Sequence, residues 1–260
     1  MKANYHTHTA RCGHAEGADE EYVLAAIDAG YDTLGFSDHV PWPYRTGYTN
    51  PRVRMTVDKL PGYVRSVRSL KEKYAGQIHI LAGFECEYFP TYMSWLADMK
   101  AEQGLDYLIL GNHYAPTDET GGMYYGGCRT AAQLRSYVDN AVRGMETGLF
   151  VCLAHPDLFM RSYGRFDDSC RAAAKELAKA CRAMNLPMEY NVHDRYIAAI
   201  THRISYPHPE FFDIAAGEGV RIIIGIDAHE PDELKNPAQR DRAVSELARF
   251  GELHIGHLEL

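Results

Sequence analysis

Apolar and polar residues in this chain switch repeatedly between a helical and a strand-like period. A helical stripe of Tyr22, Val23, Ala26 and Ile27 opens on Asp19-Glu20-Glu21, acidic residues suited to a first helical turn, and stops at Gly30. Thr33-Leu34-Gly35-Phe36 then reads as a short buried strand ending at Ser37-Asp38-His39. The pair recurs: Val64, Val67 and Leu70 mark a helix over about 58–74, before a strand over 78–84 that closes on Glu85. A helix near 91–102 stops at Gly104, and the strand 107–110 ends at Gly111-Asn112-His113. Thr130 caps a helix reaching about 147, Gly148 ends it, and the strand 150–154 delivers His155-Pro156-Asp157. An alanine-rich helix over 168–184 precedes the strand 187–190, which ends at Asn191 with His193 and Arg195 just beyond. The last helix predicted, about 209–217, feeds 220–226, a strongly β-branched run that ends at Asp227-Ala228-His229. With the N-terminal stretch through Tyr5-His6-Thr7-His8, the pattern predicts seven strands.

Strands that alternate with helices imply parallel pairing through helical crossovers. Two architectures fit, a seven-stranded (β/α) barrel and an open doubly wound sheet. Polar functional residues follow all seven predicted strands, which favours the barrel, because an open sheet gathers its site at one switch point. No linker, repeat or low-complexity segment interrupts the series, so 1–260 reads as a single α/β domain of TIM-like size. The segment 41–51 carries Trp42, Tyr44, Arg45 and Tyr48 among prolines and a glycine. It is expected to be a loop over the active site, with Trp42 and Tyr44 walling the organic part of a substrate. A glycine-rich loop is expected over 117–127.

Charge and cysteine usage narrow the function classes. Lys plus Arg number 27 against 35 Asp plus Glu, a formal charge of -8, which repels a polyanionic backbone and makes long nucleic acid an unexpected partner. The balance says nothing against a small phosphorylated substrate held by bound cations. Six cysteines without a Cys-x-x-Cys pair read as reduced thiols in a cytoplasm. The N-terminus shows no signal-peptide pattern, and no apolar run approaches the roughly 20 residues of a membrane span.

The candidate chemistry lies at the strand ends. In an extended strand residues i and i+2 face one side, so His6 and His8 can present two imidazoles to one point. Taken together the strand ends supply His6, His8, His14, His39, Glu85, His113, His155, Asn191, Asp227 and His229. This set overfills a mononuclear site and suits about three ions of zinc, iron or manganese, with Glu85 as the bridge.

Several of these runs carry a family resemblance. His6-Thr7-His8-Thr9, Cys12-Gly13-His14-Ala15-Glu16-Gly17 and Phe36-Ser37-Asp38-His39 resemble the opening of the PHP (polymerase and histidinol phosphatase) superfamily, in its histidinol-phosphatase branch. Gly83-x-Glu85, Gly111-x-His113, His155-Pro156-Asp157 and Gly225-Ile226-Asp227-Ala228-His229 match its later motifs in order. The resemblance implies a distorted seven-stranded barrel with a trinuclear cluster. It would place one metal on His6, His8, Glu85 and Asp227, a second on Glu85, His113 and His155, and a third on His14, His39 and His229. Departures fall at Ile226, where serine is common, and at His193-Asp194, where smaller residues are frequent.

The activity implied is a metal-dependent phosphomonoesterase releasing phosphate from L-histidinol phosphate in histidine biosynthesis. A hydroxide bridging two metals would attack phosphorus in line, and a protonated group would serve the leaving alkoxide. Glu85, Asp227 and His193 are the catalytic candidates. Arg161 and Arg195, each following a strand end with site residues, are the expected phosphate clamp, with Arg165 a competitor. Within the superfamily the alternatives are an esterase acting on nucleotides or another small phosphate ester, and a phosphotyrosine phosphatase. A non-catalytic metal-bound module is the alternative of another class.

Overall fold

The computed structural model describes residues 2–195 and 203–260. Its barrel strands are β1 (Ala3–Asn4), β2 (Thr33–Phe36), β3 (His79–Cys86) and β4 (Tyr107–Gly111), then β7 (Cys152–Ala154), β8 (Met188–Asn191) and β9 (Ile222–Gly225). They hydrogen-bond in that order, every pair parallel. The residues following β9 return to those following β1: Ala228 N donates to His6 O at 3.1 Å and His8 N to Ala228 O at 2.8 Å. This ladder, with Asn4 Oδ1 accepting from Ile226 N at 2.9 Å, closes the ring at its carboxyl end, so the barrel forms and the open sheet does not.

Alternation along the strands sorts inside from outside. Tyr5, Leu81, Tyr107, Ile109, Cys152 and Ile223 form a small separate core in the barrel interior. Four residues further along, past Gly83 and Gly225, the rows of Leu81 and Ile223 turn polar at Glu85 and Asp227. Tyr107 lies beneath them, its hydroxyl donating to Tyr5 O at 2.7 Å and Phe36 O at 3.1 Å. The outward rows pack on helices. Helix Leu60–Lys73 buries Leu60, Tyr63, Val64, Val67 and Leu70, the one-sided spacing seen in the sequence. Helix Ala131–Glu146 starts where Thr130 accepts from Gln133 N at 3.3 Å while Gln133 accepts from Thr130 N at 3.2 Å, a reciprocal cap.

Three features were not foreseen. The glycine-rich loop is flanked by a hairpin, β5 (Tyr114–Ala115) antiparallel to β6 (Met123–Tyr124). A short helix, Met160–Tyr163, follows His155. The helix Pro209–Gly217 is not the last, because Pro231–Lys235 and Pro237–Leu247 come after β9. The second of these buries only Ala243 and Leu247, a stripe too narrow to announce itself as a period. All six cysteines are buried and free. No helix among the described residues is long and apolar enough to cross a membrane.

Candidate metal centre

Glu85 ends an inward row of β3 at the centre of a ring of imidazoles. Its Oε1 lies 2.6 Å from His155 Nε2 and 3.3 Å from His113 Nε2. Its Oε2 lies 3.1 Å from His39 Nδ1, 3.5 Å from His6 Nε2 and 3.6 Å from His8 Nε2. Asp227 closes the group from beyond β9, with Oδ1 3.3 Å from His6 Nε2 and 3.1 Å from His8 Nε2. His14 and His229 stack at its edge, their ring centres 4.8 Å apart and His229 4.3 Å from His8. All nine expected ligands therefore meet in one place. Burial alone would push the Glu85 carboxyl up, but positive charge on His113 and His6 beside it holds it well below the usual carboxylate range. Burial keeps His39 and His229 well below the usual imidazole range, so both present neutral rings.

The tautomers show what the ring is built to hold. His6 Nδ1 contacts Glu189 Oε1 at 2.9 Å, His14 Nδ1 contacts Cys12 O at 3.1 Å, and His229 Nδ1 contacts Asp227 O at 2.8 Å. His113 Nδ1 contacts Glu87 Oε1 at 3.2 Å. An oxygen beside each Nδ1 accepts the proton there, so a ring that gives up its second proton to a bound cation presents its Nε2 lone pair inward. Ring nitrogens crowd each other and the carboxylates: His6 Nε2 is 3.2 Å from His8 Nε2, and the buried Asp227 Oδ1 receives no hydrogen bond. Cations between these groups resolve both conflicts, so the donor set fits a metal cluster. Glu87 and Glu189 were missed in the sequence. The signal was present, because Glu85-x-Glu87 and Glu189-x-Asn191 repeat the i, i+2 spacing that singled out His6 and His8.

The motif glycines make room for these carboxylates. A Cβ on Gly111 would lie 2.2 Å from Glu85 Oε1, and one on Gly225 would lie 1.8 Å from Glu189 Oε1. Gly225→Ala is therefore expected to displace Glu189, cost about 1–3 kcal/mol of stability by overpacking, and lower metal content. Urea unfolding of the metal-free protein and elemental analysis check the two effects separately. His155 and Asp227, both expected ligands, have left-handed backbone (φ 26° and 55°), a strain of about 1–3 kcal/mol each.

A pocket opens over the cluster, lined in addition by Arg52, Tyr114, Tyr124, Leu158, Arg161, His193, Tyr206, Glu230 and Glu233. Arg161 stands half-exposed at its wall, donating to Tyr124 Oη at 3.1 Å. His193 lines it too, its ring centre 4.7 Å from that of His229. The other expected substrate residues lie elsewhere. Arg195 turns away from the pocket onto Glu246 and the Tyr190 hydroxyl, because the unforeseen helix Pro237–Leu247 puts Glu246 outside the barrel next to it. Arg165 pairs with Asp167 at 2.7 Å on the surface. Trp42 is buried against Phe89, Tyr92 and Trp95, with Nε1 donating to Glu87 at 2.8 Å, and Tyr44 donates to Asp118 at 2.5 Å. Both aromatics pack the 41–51 loop down instead of walling the pocket. Trp42→Ala is accordingly expected to cost about 3–5 kcal/mol of stability, with urea unfolding as the measurement. A variant of unchanged stability would contradict that placement.

A parallel barrel thus gathers all nine expected ligands at its carboxyl end. The PHP domain model matches residues 4–193, and the chain belongs to that family. It is 29% identical over 245 residues to a probable histidinol-phosphatase of Deinococcus radiodurans, covering 88% of this chain and 86% of that protein. Its fold matches a putative histidinol phosphatase from Listeria monocytogenes with a TM-score of 0.75 at 20% identity, over 92% of this chain and 99% of that one. It also matches the histidinol phosphate phosphatase of Lactococcus lactis, solved with zinc, L-histidinol and phosphate, with a TM-score of 0.74 at 17% identity. That alignment covers 96% of this chain and 94% of the other.

Proposed function

We propose that this chain is a metal-dependent phosphomonoesterase that hydrolyses L-histidinol phosphate to L-histidinol and phosphate, as a cytoplasmic step of histidine biosynthesis. The observation that carries the reading is the convergence of imidazole nitrogens on the two oxygens of Glu85, beneath a pocket with Arg161 at its wall. The names of the relatives support the substrate. Three divalent transition metals, zinc, manganese or iron, would be held by His6, His8, Glu85 and Asp227, by Glu85, His113 and His155, and by His14, His39 and His229. Bound there, they would supply Lewis-acid charge for the phosphoryl oxygens and an activated water as nucleophile.

The chain's own residues divide the remaining work. Glu85 and Asp227 keep the ion sites adjacent. Arg161 offers a planar fork of donors to a phosphate oxygen entering from the pocket mouth. His193, which lines the pocket, would hand a proton to the leaving oxygen. Tyr114, Tyr124 and Tyr206 present flat apolar surface to the organic group, the task the sequence had assigned to Trp42 and Tyr44. A phosphate-release screen of protein loaded with zinc or manganese tests the reading. Turnover should be highest on histidinol phosphate among a set including nucleotides, phosphotyrosine and a phosphodiester. Preference for any other member would overturn the substrate.

A further inference from the structure

The two oxygens of Glu85 face ligand groups whose supporting residues differ in charge. On the Oε2 side, His6 leans on Glu189, which is buried and accepts from His6 Nδ1 at 2.9 Å, Asn191 Nδ2 at 2.9 Å and His155 N at 3.0 Å. Among the described residues, no lysine or arginine lies within ion-pair distance of Glu189. On the Oε1 side, His113 leans on Glu87, and Glu87 is spoken for. Arg54, as buried as Glu87 itself, donates Nη2 to Oε1 at 2.9 Å and Nη1 to Oε2 at 3.1 Å. Trp42 Nε1 adds a third donor at 2.8 Å, and the His113 contact is left longer, at 3.2 Å.

A carboxylate that accepts Nδ1–H pushes electron density toward Nε2 and strengthens the bond a metal makes there. That push weakens when a guanidinium already holds the carboxylate in a bidentate pair. Asp227, a second anionic donor, lies 3.3 Å from His6 Nε2 and 3.1 Å from His8 Nε2 and makes no such close contact with His113 or His155. Both differences act in one direction. We propose that the Glu85 oxygens face cation sites of unequal strength, tight beside His6, His8 and Asp227 and labile beside His113 and His155. Arg54 is the positioning residue that sets the labile side, acting through Glu87. The inference rests on reading the cluster as a metal centre, and it makes full activity follow the supply of the labile cation.

The test uses the full chain loaded with zinc, following ion release into excess chelator. Wild-type protein should release the ions beside Glu85 in a fast and a slow phase, and His113→Ala should lack a fast phase that His14→Ala, which disturbs the third site instead, retains. Glu189→Gln should speed the slow phase about 10- to 100-fold. Arg54→Gln and the milder Trp42→Phe should slow the fast phase, because each withdraws a donor from Glu87. Mere structural damage would speed it instead, so the sign separates positioning from packing. Crystals of the wild type at one equivalent of zinc need no variant, and their anomalous signal should lie beside His6, His8 and Asp227. A first ion beside His113, loss of the slow phase in His113→Ala, or faster release from Trp42→Phe would each overturn the proposal. Two ions taken up with equal strength would overturn this inference alone, whereas no uptake at all would overturn the metal centre with it.

Discussion

Glu85→Ala is expected to lower the specificity constant for histidinol phosphate by about 10³- to 10⁵-fold, the effect of losing several kcal/mol of metal-supplied charge stabilisation. One carboxylate serves both halves of the centre, with Oε1 toward His113 and His155 and Oε2 toward His6, His8 and His39. Its removal leaves the converging imidazoles with Asp227 as their remaining inward carboxylate, so two ion sites should empty or disorder together. The fold should persist, because the barrel interior below the cluster and the helix-facing core do not depend on Glu85. Steady-state kinetics beside circular dichroism checks both halves of this expectation. A folded variant within tenfold of the wild-type rate would contradict it.

Arg161→Ala should cost roughly 2–4 kcal/mol of transition-state stabilisation, the scale for losing one preorganised donor to developing charge. In rate this is about 30- to 1000-fold in kcat/KM. Among the described residues its one hydrogen bond within the chain is to Tyr124, and Asp194 stands 4.0 Å from its Nε, so the guanidinium is oriented without being consumed. Metal content should stay at the wild-type level. Arg161→Lys should recover part of the loss, since it keeps the charge and gives up the fork. Arg195→Ala supplies the contrast: that side chain is engaged by Glu246 outside the pocket, and kcat/KM should hold. Equal losses in the Arg161 and Arg195 variants would contradict the assignment.

The seven strands and their carboxyl-end residues were legible because barrel geometry turns period-2 alternation into an inward row whose last members are functional. Gly83-x-Glu85 and Gly225-x-Asp227 show this directly. What stayed hidden depends on contacts made far apart in sequence. Nothing local in Trp42 distinguishes a pocket wall from a buried donor to Glu87, which lies 45 residues away. Arg195 follows a site strand just as a phosphate ligand would, and only the placement of Glu246, 51 residues on, decides its direction. The supporting carboxylates Glu87 and Glu189 sat in rows already in view, yet their role becomes visible once the ring nitrogens they contact are known.

If one carboxylate organises a multinuclear centre, the number of bound metals must depend on it. Wild-type protein, purified without chelator and reconstituted with zinc or manganese, should carry more than one transition metal per chain by elemental analysis. Glu85→Ala, treated identically, should lose the ions that the carboxylate bridges. One metal or none in the wild type, or an unchanged count in the variant, would contradict the account.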